Sequence, residues 1–136
     1  MSNPNNNRFV ILYHEIPAGE PVADDFAKRK SHWDLMLADG DHLLTWAVEK
    51  KPERGGKSFA TQLANHRLAY LDFEGEISGG RGCVTQIASG TFVWIERTQE
   101  RVVVELECES LNKIELVLMR SDGAGSNSHR FEVQFH

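Results

Sequence analysis

The chain has 136 residues, 40% of them hydrophobic, and sets 15 basic residues against 20 acidic ones for a net charge of −5. That length suits one domain with a real core, and the composition is that of a globular chain rather than a disordered one. The charge balance argues against broad, charge-driven coating of nucleic acid, which depends on neutralising phosphates with Lys and Arg, and no apolar run approaches a membrane span.

Residues 1–7 are polar, lack the apolar core of a secretion signal, and read as a disordered tail ahead of one domain over 8–136. Arg8 to His14 is the first strand-like run. A long polar connection follows over 15–30, holding Pro17, Gly19 and Pro21, and its end, Asp24 to Lys30, has the makings of a short helix. His32 to Ala38 is the second strand, Asp39-Gly40 is a turn of the kind that closes tight hairpins, and His42 to Glu49 returns. Lys50 to Lys57 is a loop with Pro52 and Gly55-Gly56, and Ser58 to Ala64 reads as a strand with some helical character. Asn65 to Gly82 reads as irregular. Cys83 to Ala88 and Thr91 to Glu96 flank Ser89-Gly90, which reads as another turn. Arg101 to Glu109 alternates cleanly, Lys113 to Arg120 repeats the pattern, Asp122 to Ser128 is a flexible loop, and Arg130 to Phe135 closes the chain. The expectation is an all-β, mainly antiparallel fold: a small closed or partly open β-barrel of about eight strands, with a concave groove and little helix. Two cysteines, Cys83 and Cys108, make no disulfide framework and read as buried free thiols of a cytoplasmic protein.

Chemistry concentrates in Ser31-His-Trp-Asp-Leu-Met-Leu37. In a strand, His32 and Asp34 share one face while Trp33, Leu35 and Leu37 share the other. His14, at the end of Phe9-Val-Ile-Leu-Tyr-His14, is a candidate third ligand, and two His with one Asp suit Mn, Fe or Zn. The plainer reading is scattered polar residues on a half-exposed sheet. His66 and Tyr70 stand four apart in a segment whose geometry the spacing leaves open; the first is a candidate general acid or phosphate donor, the second a candidate hydrogen-bond donor to phosphate. Composition alone favours the plainer reading, a surface polar His66 and a half-buried Tyr70. Lys50 ends an apolar strand, where a charge is either aimed into a cleft or simply solvated. The clusters Lys28–Lys30 and Lys50–Lys57 read as solvated loops.

Taken together, the blocks Phe9–His14, His32–Leu37, Leu44–Lys50, Asn65–Ile77 and Gly82–Phe92 resemble the 3′-phosphoesterase domain of bacterial DNA ligase D and its stand-alone relatives. The likeness runs from Phe9 to about Trp94. It implies a β-barrel with a crescent-shaped groove and an activity that removes 3′-phosphates and terminal 3′-ribonucleotides during DNA repair, with manganese. By resemblance, His14, His32 and Asp34 match metal ligands, His66 and Tyr70 match residues that contact the phosphate, and Lys50 matches a lysine near the same site. Two places depart from the pattern: Met36 and Ser58 stand where the family has arginines. Arginine grips phosphate through a planar fork that neither residue can supply. Arg67, Arg54 or Lys57 are candidates to take over part of that role. The resemblance therefore points to a metal-dependent phosphoesterase on DNA or RNA 3′-ends, manganese being the expected metal and zinc or iron the alternatives. A catalytically impaired binding module of the same fold and a hydrolase of another phosphoester remain the competing readings. The expected partners are a nucleic-acid 3′-end and a separate DNA ligase or polymerase, with no membrane and a monomeric state.

Overall fold

The computed structural model describes residues 7–16, 30–77, 82–121 and 129–136. The tail over 1–6, the helix expected at 24–30 and the loop over 122–128 fall wholly or mostly outside them. Nine strands form one antiparallel sheet: β1 (Arg8–Glu15), β2 (His32–Asp39), β3 (His42–Val48), β4 (Lys57–Arg67), β5 (Gly75–Glu76), β6 (Cys83–Arg97), β7 (Arg101–Cys108), β8 (Asn112–Arg120) and β9 (Arg130–Phe135). They run in the order β1-β2-β3-β4-β9-β8-β7-β6-β5, and a β1–β6 pairing closes eight of them into a barrel, with the two-residue β5 attached to β6. Closure leaves the long strands without open edges. Among the described residues there is no α-helix, only a 3-10 turn over Leu68–Asp72, and no helix long and apolar enough to cross a membrane.

The alternation read in the sequence sets the inside of the barrel. Phe9, Leu35, Trp46, Val104, Leu116 and Phe131 belong to one large core cluster to which all eight long strands contribute. A second, smaller core lies on the outer face of β1, β2, β3 and β6. There Val10, Leu12, Met36, Ala38, Leu43 and Val84 are covered by the segment 68–77 through Leu71. The chain thus buries one strip of the sheet on both faces, and the candidate site sits at the end of that strip.

The hairpin at Asp39-Gly40 forms as expected, with Asp39 opposite His42 and Gly40 at φ +65. Ser89-Gly90 does not turn. Cys83–Arg97 is one continuous strand whose first part pairs with β1 and whose second part pairs with β7. Gly90 is needed there for approach rather than for turning: a Cβ on it would stand 2.0 Å from the carbonyl oxygen of Glu107. Gly90→Ala is therefore expected to push β6 off β7 and cost about 1–3 kcal/mol, measured as a lower urea midpoint. An unchanged midpoint would show that the crossing has slack.

Three bulges break the simple alternation among the described residues, one of them at Ile95 where β6 pairs with β7. Between β1 and β6, Ile11 opposes Ala88 while Leu12 opposes Gln86, so Ile87 is extra. Its insertion changes the face of everything before it, so that Val84 joins the outer core while Ala88 joins the inner one. Between β3 and β4, Leu43 opposes His66 while Thr45 opposes Leu63, which places the extra residue of β4 at 64–65. The segment expected to be irregular from Asn65 is thus strand as far as Arg67.

Candidate metal centre and phosphate pocket

His14 stands directly across from His32 in the β1–β2 pairing, and Asp34 across from Leu12. All three side chains lie on the outer face and are buried, at 3%, 5% and 4% exposure. One ligand atom from each lies within 4.8 Å of the others. The two rings meet edge to face with centroids 4.9 Å apart. His14 Nδ1 is 3.4 Å from Asp34 Oδ2, and His32 Nε2 is 3.0 Å from Asp34 Oδ1. Burial alone pushes the Asp34 carboxyl up. The hydrogen bonds and charges of His14 and His32 outweigh that and hold it below the usual carboxylate value of 3.8.

The orientation of His32 tests whether these residues suit a cation. Its Nδ1 lies 2.9 Å from the carbonyl oxygen of Lys30. A carbonyl only accepts, so Nδ1 carries a hydrogen, and Nε2 is the atom turned to the carboxylate. Two lone pairs that close repel unless a proton or a cation stands with them. A ring held by its far nitrogen on a backbone carbonyl is the usual second layer of a His metal ligand. Two imidazoles and one carboxylate therefore fit a divalent transition metal with positions left over for water or substrate.

A cavity of about 40 Å³ opens beside His14 and Asp34, enough for roughly three water-sized groups. His66 and Tyr70 also line it, with Met36 among its apolar walls. The extra residue at 64–65 is what turns His66 inward: Leu63 and His66 are three apart and would otherwise face opposite sides, yet both reach the cavity. His66 Nδ1 donates to the carbonyl of Ala64 at 2.9 Å, which leaves Nε2 as the working atom. The Tyr70 ring packs edge to face on His66 at 5.4 Å and on Phe73 at 5.4 Å. Leu71, 1% exposed, pins this 3-10 turn to the outer core. Leu71→Ala is expected to cost about 2–5 kcal/mol and to loosen Tyr70 from His66, read in urea denaturation and in the Tyr70 ring resonances. A loss under about 1 kcal/mol, well below the usual cost of emptying a core site, would show that the turn is held by other contacts.

Five of the six residues singled out in the sequence thus surround one spot. The sixth, Lys50, is exposed and does not line the cavity, although it follows β3 at the barrel end where His14 and His32 lie; its backbone N–H donates to Ser58 Oγ. Of the two departures, only Met36 is in the cavity. Ser58 shares its face with Ala60, which points into the barrel, so it is off the face that carries the site. No Lys or Arg lines the cavity among the described residues. Arg54 is committed elsewhere, donating to the carbonyls of Leu111 and Lys113 at 2.6 and 2.8 Å, and Arg67 and Lys57 are exposed. The carbonyl of Lys30 and the walls Leu12, Leu63 and Val84 carry no signal in sequence, being a backbone group and ordinary apolar residues.

Fold and site together define a closed β-barrel with a buried two-histidine, one-carboxylate centre on its outer face. The family model for the DNA Ligase D 3'-phosphoesterase domain matches residues 24–120, and the chain belongs to that family. The match takes in His32, Asp34, His66 and Tyr70 and starts after His14, whose place in the centre rests on its geometry and on the resemblance read from the sequence. It reaches beyond Trp94, where the resemblance read from the sequence fades, as far as Arg120. No curated protein matches the chain.

Proposed function

We propose that this protein is a manganese-dependent phosphoesterase that removes a 3′-phosphate or a 3′-ribonucleotide from nucleic-acid ends during DNA repair. The observation that carries the reading is the meeting of His14, Asp34, His66 and Tyr70 around one cavity, with His32 behind Asp34. His14, His32 and Asp34 hold the metal, which when bound polarises a phosphoryl oxygen and lowers the pKa of a water. His66 Nε2 gives a proton to the leaving oxygen, and the Ala64 carbonyl fixes the ring for that transfer. The Tyr70 hydroxyl donates to a phosphate oxygen, and its packing on His66 and Phe73 keeps it in place. Lys50, outside the cavity, serves phosphates of the strand beyond the one being cleaved. The protein acts as a cytoplasmic monomer; release of a nucleoside leaves a 3′-phosphate, and removal of that phosphate leaves the 3′-hydroxyl end that a separate DNA ligase or polymerase consumes.

The test is release of phosphate from a 3′-phosphorylated primer, and of nucleoside from a 3′-ribonucleotide primer, with manganese present. Release that disappears in His32→Ala is the expected result. Manganese binding with no release from any 3′-modified primer would sink the proposal. A second reading, a binding module of the same fold, is favoured by the absence of Lys and Arg from the described cavity walls. It predicts retention of the same primers in gel shift without product. Turnover of generic phosphodiesters alone would mark a different phosphoester as the substrate.

A further inference from the structure

The barrel has a second opening, at the end where β3, β7 and β9 begin and β6 and β8 finish. A cavity of about 320 Å³ lies there, within the size range of small-molecule sites. It is on the inner face of the sheet, whereas the metal centre is on the outer face at the other end of β2 and β3.

Its walls are of two kinds. Leu44, Val102 and Phe131 are apolar; Arg97, Arg120 and His129 are basic. Gln62, Gln99 and Thr98 add two amides and a hydroxyl, and no carboxylate lines it among the described residues, in a chain of net charge −5. The Arg97 guanidinium is fixed in place by Asp39, at 2.5 and 3.3 Å, and lies 4.4 Å over the Trp94 ring. It is therefore oriented before any ligand arrives.

Trp46 supplies the decisive observation. It lines this cavity and is 1% exposed. Its ring meets Phe131 edge to face, and its buried Nε1–H donates to no acceptor among the described residues. Buried indole N–H groups ordinarily have an acceptor. The cavity thus sets guanidinium and indole donors over an apolar floor, with no carboxylate among its described walls. What complements it is a molecule that accepts hydrogen bonds, carries negative charge and has an apolar or planar body.

We propose that this mouth of the barrel binds a small organic oxyanion, its phosphate or carboxylate head on Arg97, Arg120 and the Trp46 N–H and its body against Leu44, Val102 and Phe131.

The full chain in EDTA, which keeps metal out of the outer site, is titrated with AMP, inorganic phosphate and benzoate. Binding is read by calorimetry and by tryptophan fluorescence. At least one of the two organic anions is expected to bind one per chain, and which of them binds separates a phosphate head from a carboxylate. Arg120→Gln should weaken that binding about tenfold, as loss of a charged donor does. Trp46→Phe, which keeps a ring but removes the N–H, should weaken it roughly threefold. His32→Ala should leave it unchanged. Three results overturn the proposal: no saturable binding of either organic anion, unaltered binding in Arg120→Gln, or loss of binding in His32→Ala. If Trp46→Phe melts below the assay temperature, Arg120→Gln and His32→Ala decide alone.

Discussion

Asp34→Asn is expected to leave a barrel that binds manganese at least a hundredfold more weakly, with loss of any manganese-dependent turnover. The carboxylate is the one anionic group of the centre and the one both imidazoles face, at 3.4 and 3.0 Å. Changing a group that merely supports a ligand already costs roughly 10–100-fold in affinity or activity, so changing a ligand should exceed that. Asparagine has the same shape, and the barrel core lies on the other face of β2, so the fold should survive. Calorimetry with manganese and the shift in melting temperature on adding it are the measurements. Wild-type affinity in the variant would mean that manganese binds elsewhere. The same carboxylate also matters to the metal-free protein: in Asp34→Asn the two buried imidazoles lose the charge that balances either of them when protonated.

Met36→Arg is expected to raise turnover on a 3′-phosphorylated primer while lowering stability. Met36 stands two residues beyond Asp34 on the same face and lines the cavity. An arginine there would carry a planar fork into a cavity whose described walls hold no Lys or Arg. A preorganised donor at a developing negative charge is worth on the order of 10²–10³ in rate. The opposing effect is packing: Met36 is 1% exposed among Val10, Leu12, Ala38 and Leu43, and a longer, charged side chain would cost about 1–3 kcal/mol. Single-turnover kinetics and urea denaturation measure the two separately. Reduced stability with no gain in rate would show that the missing guanidinium is not what limits this member of the family.

How much of this was legible beforehand varies with the distance over which each feature is set. The hairpin at Asp39-Gly40 is written in adjacent residues. The shared face of His32 and Asp34 follows from strict alternation over three. His14 is visible as the end of an apolar run, but its position across from His32 depends on pairing between strands separated by a long connection. Ser89-Gly90 has the composition of a turn, yet β6 passes straight through it, because what Gly90 answers is the Glu107 carbonyl of another strand. His66 was unreadable for a related reason. Its four-residue spacing from Tyr70 carries no geometry until the extra residue at 64–65 and the 3-10 turn that follows are in place. Ser58, which the resemblance sets where the family has an arginine, lies with Ala60 on the other side of the sheet.

The bulges at 64–65 and at Ile87 also bear on how this barrel tolerates changes of length. Each is a half-period phase shift inserted into an otherwise regular two-residue rhythm. Deleting one residue at 64–65 would shorten the chain by less than 1%, and would still satisfy the hydrogen-bond ladder of β4. It would also leave Leu63 and His66 two apart, the spacing of plain alternation, so both would still face the cavity once the bulge was gone. For this architecture, then, a change of one residue is absorbed at a bulge, whereas the same change in a regular stretch of β4 would turn every side chain beyond it to the other face.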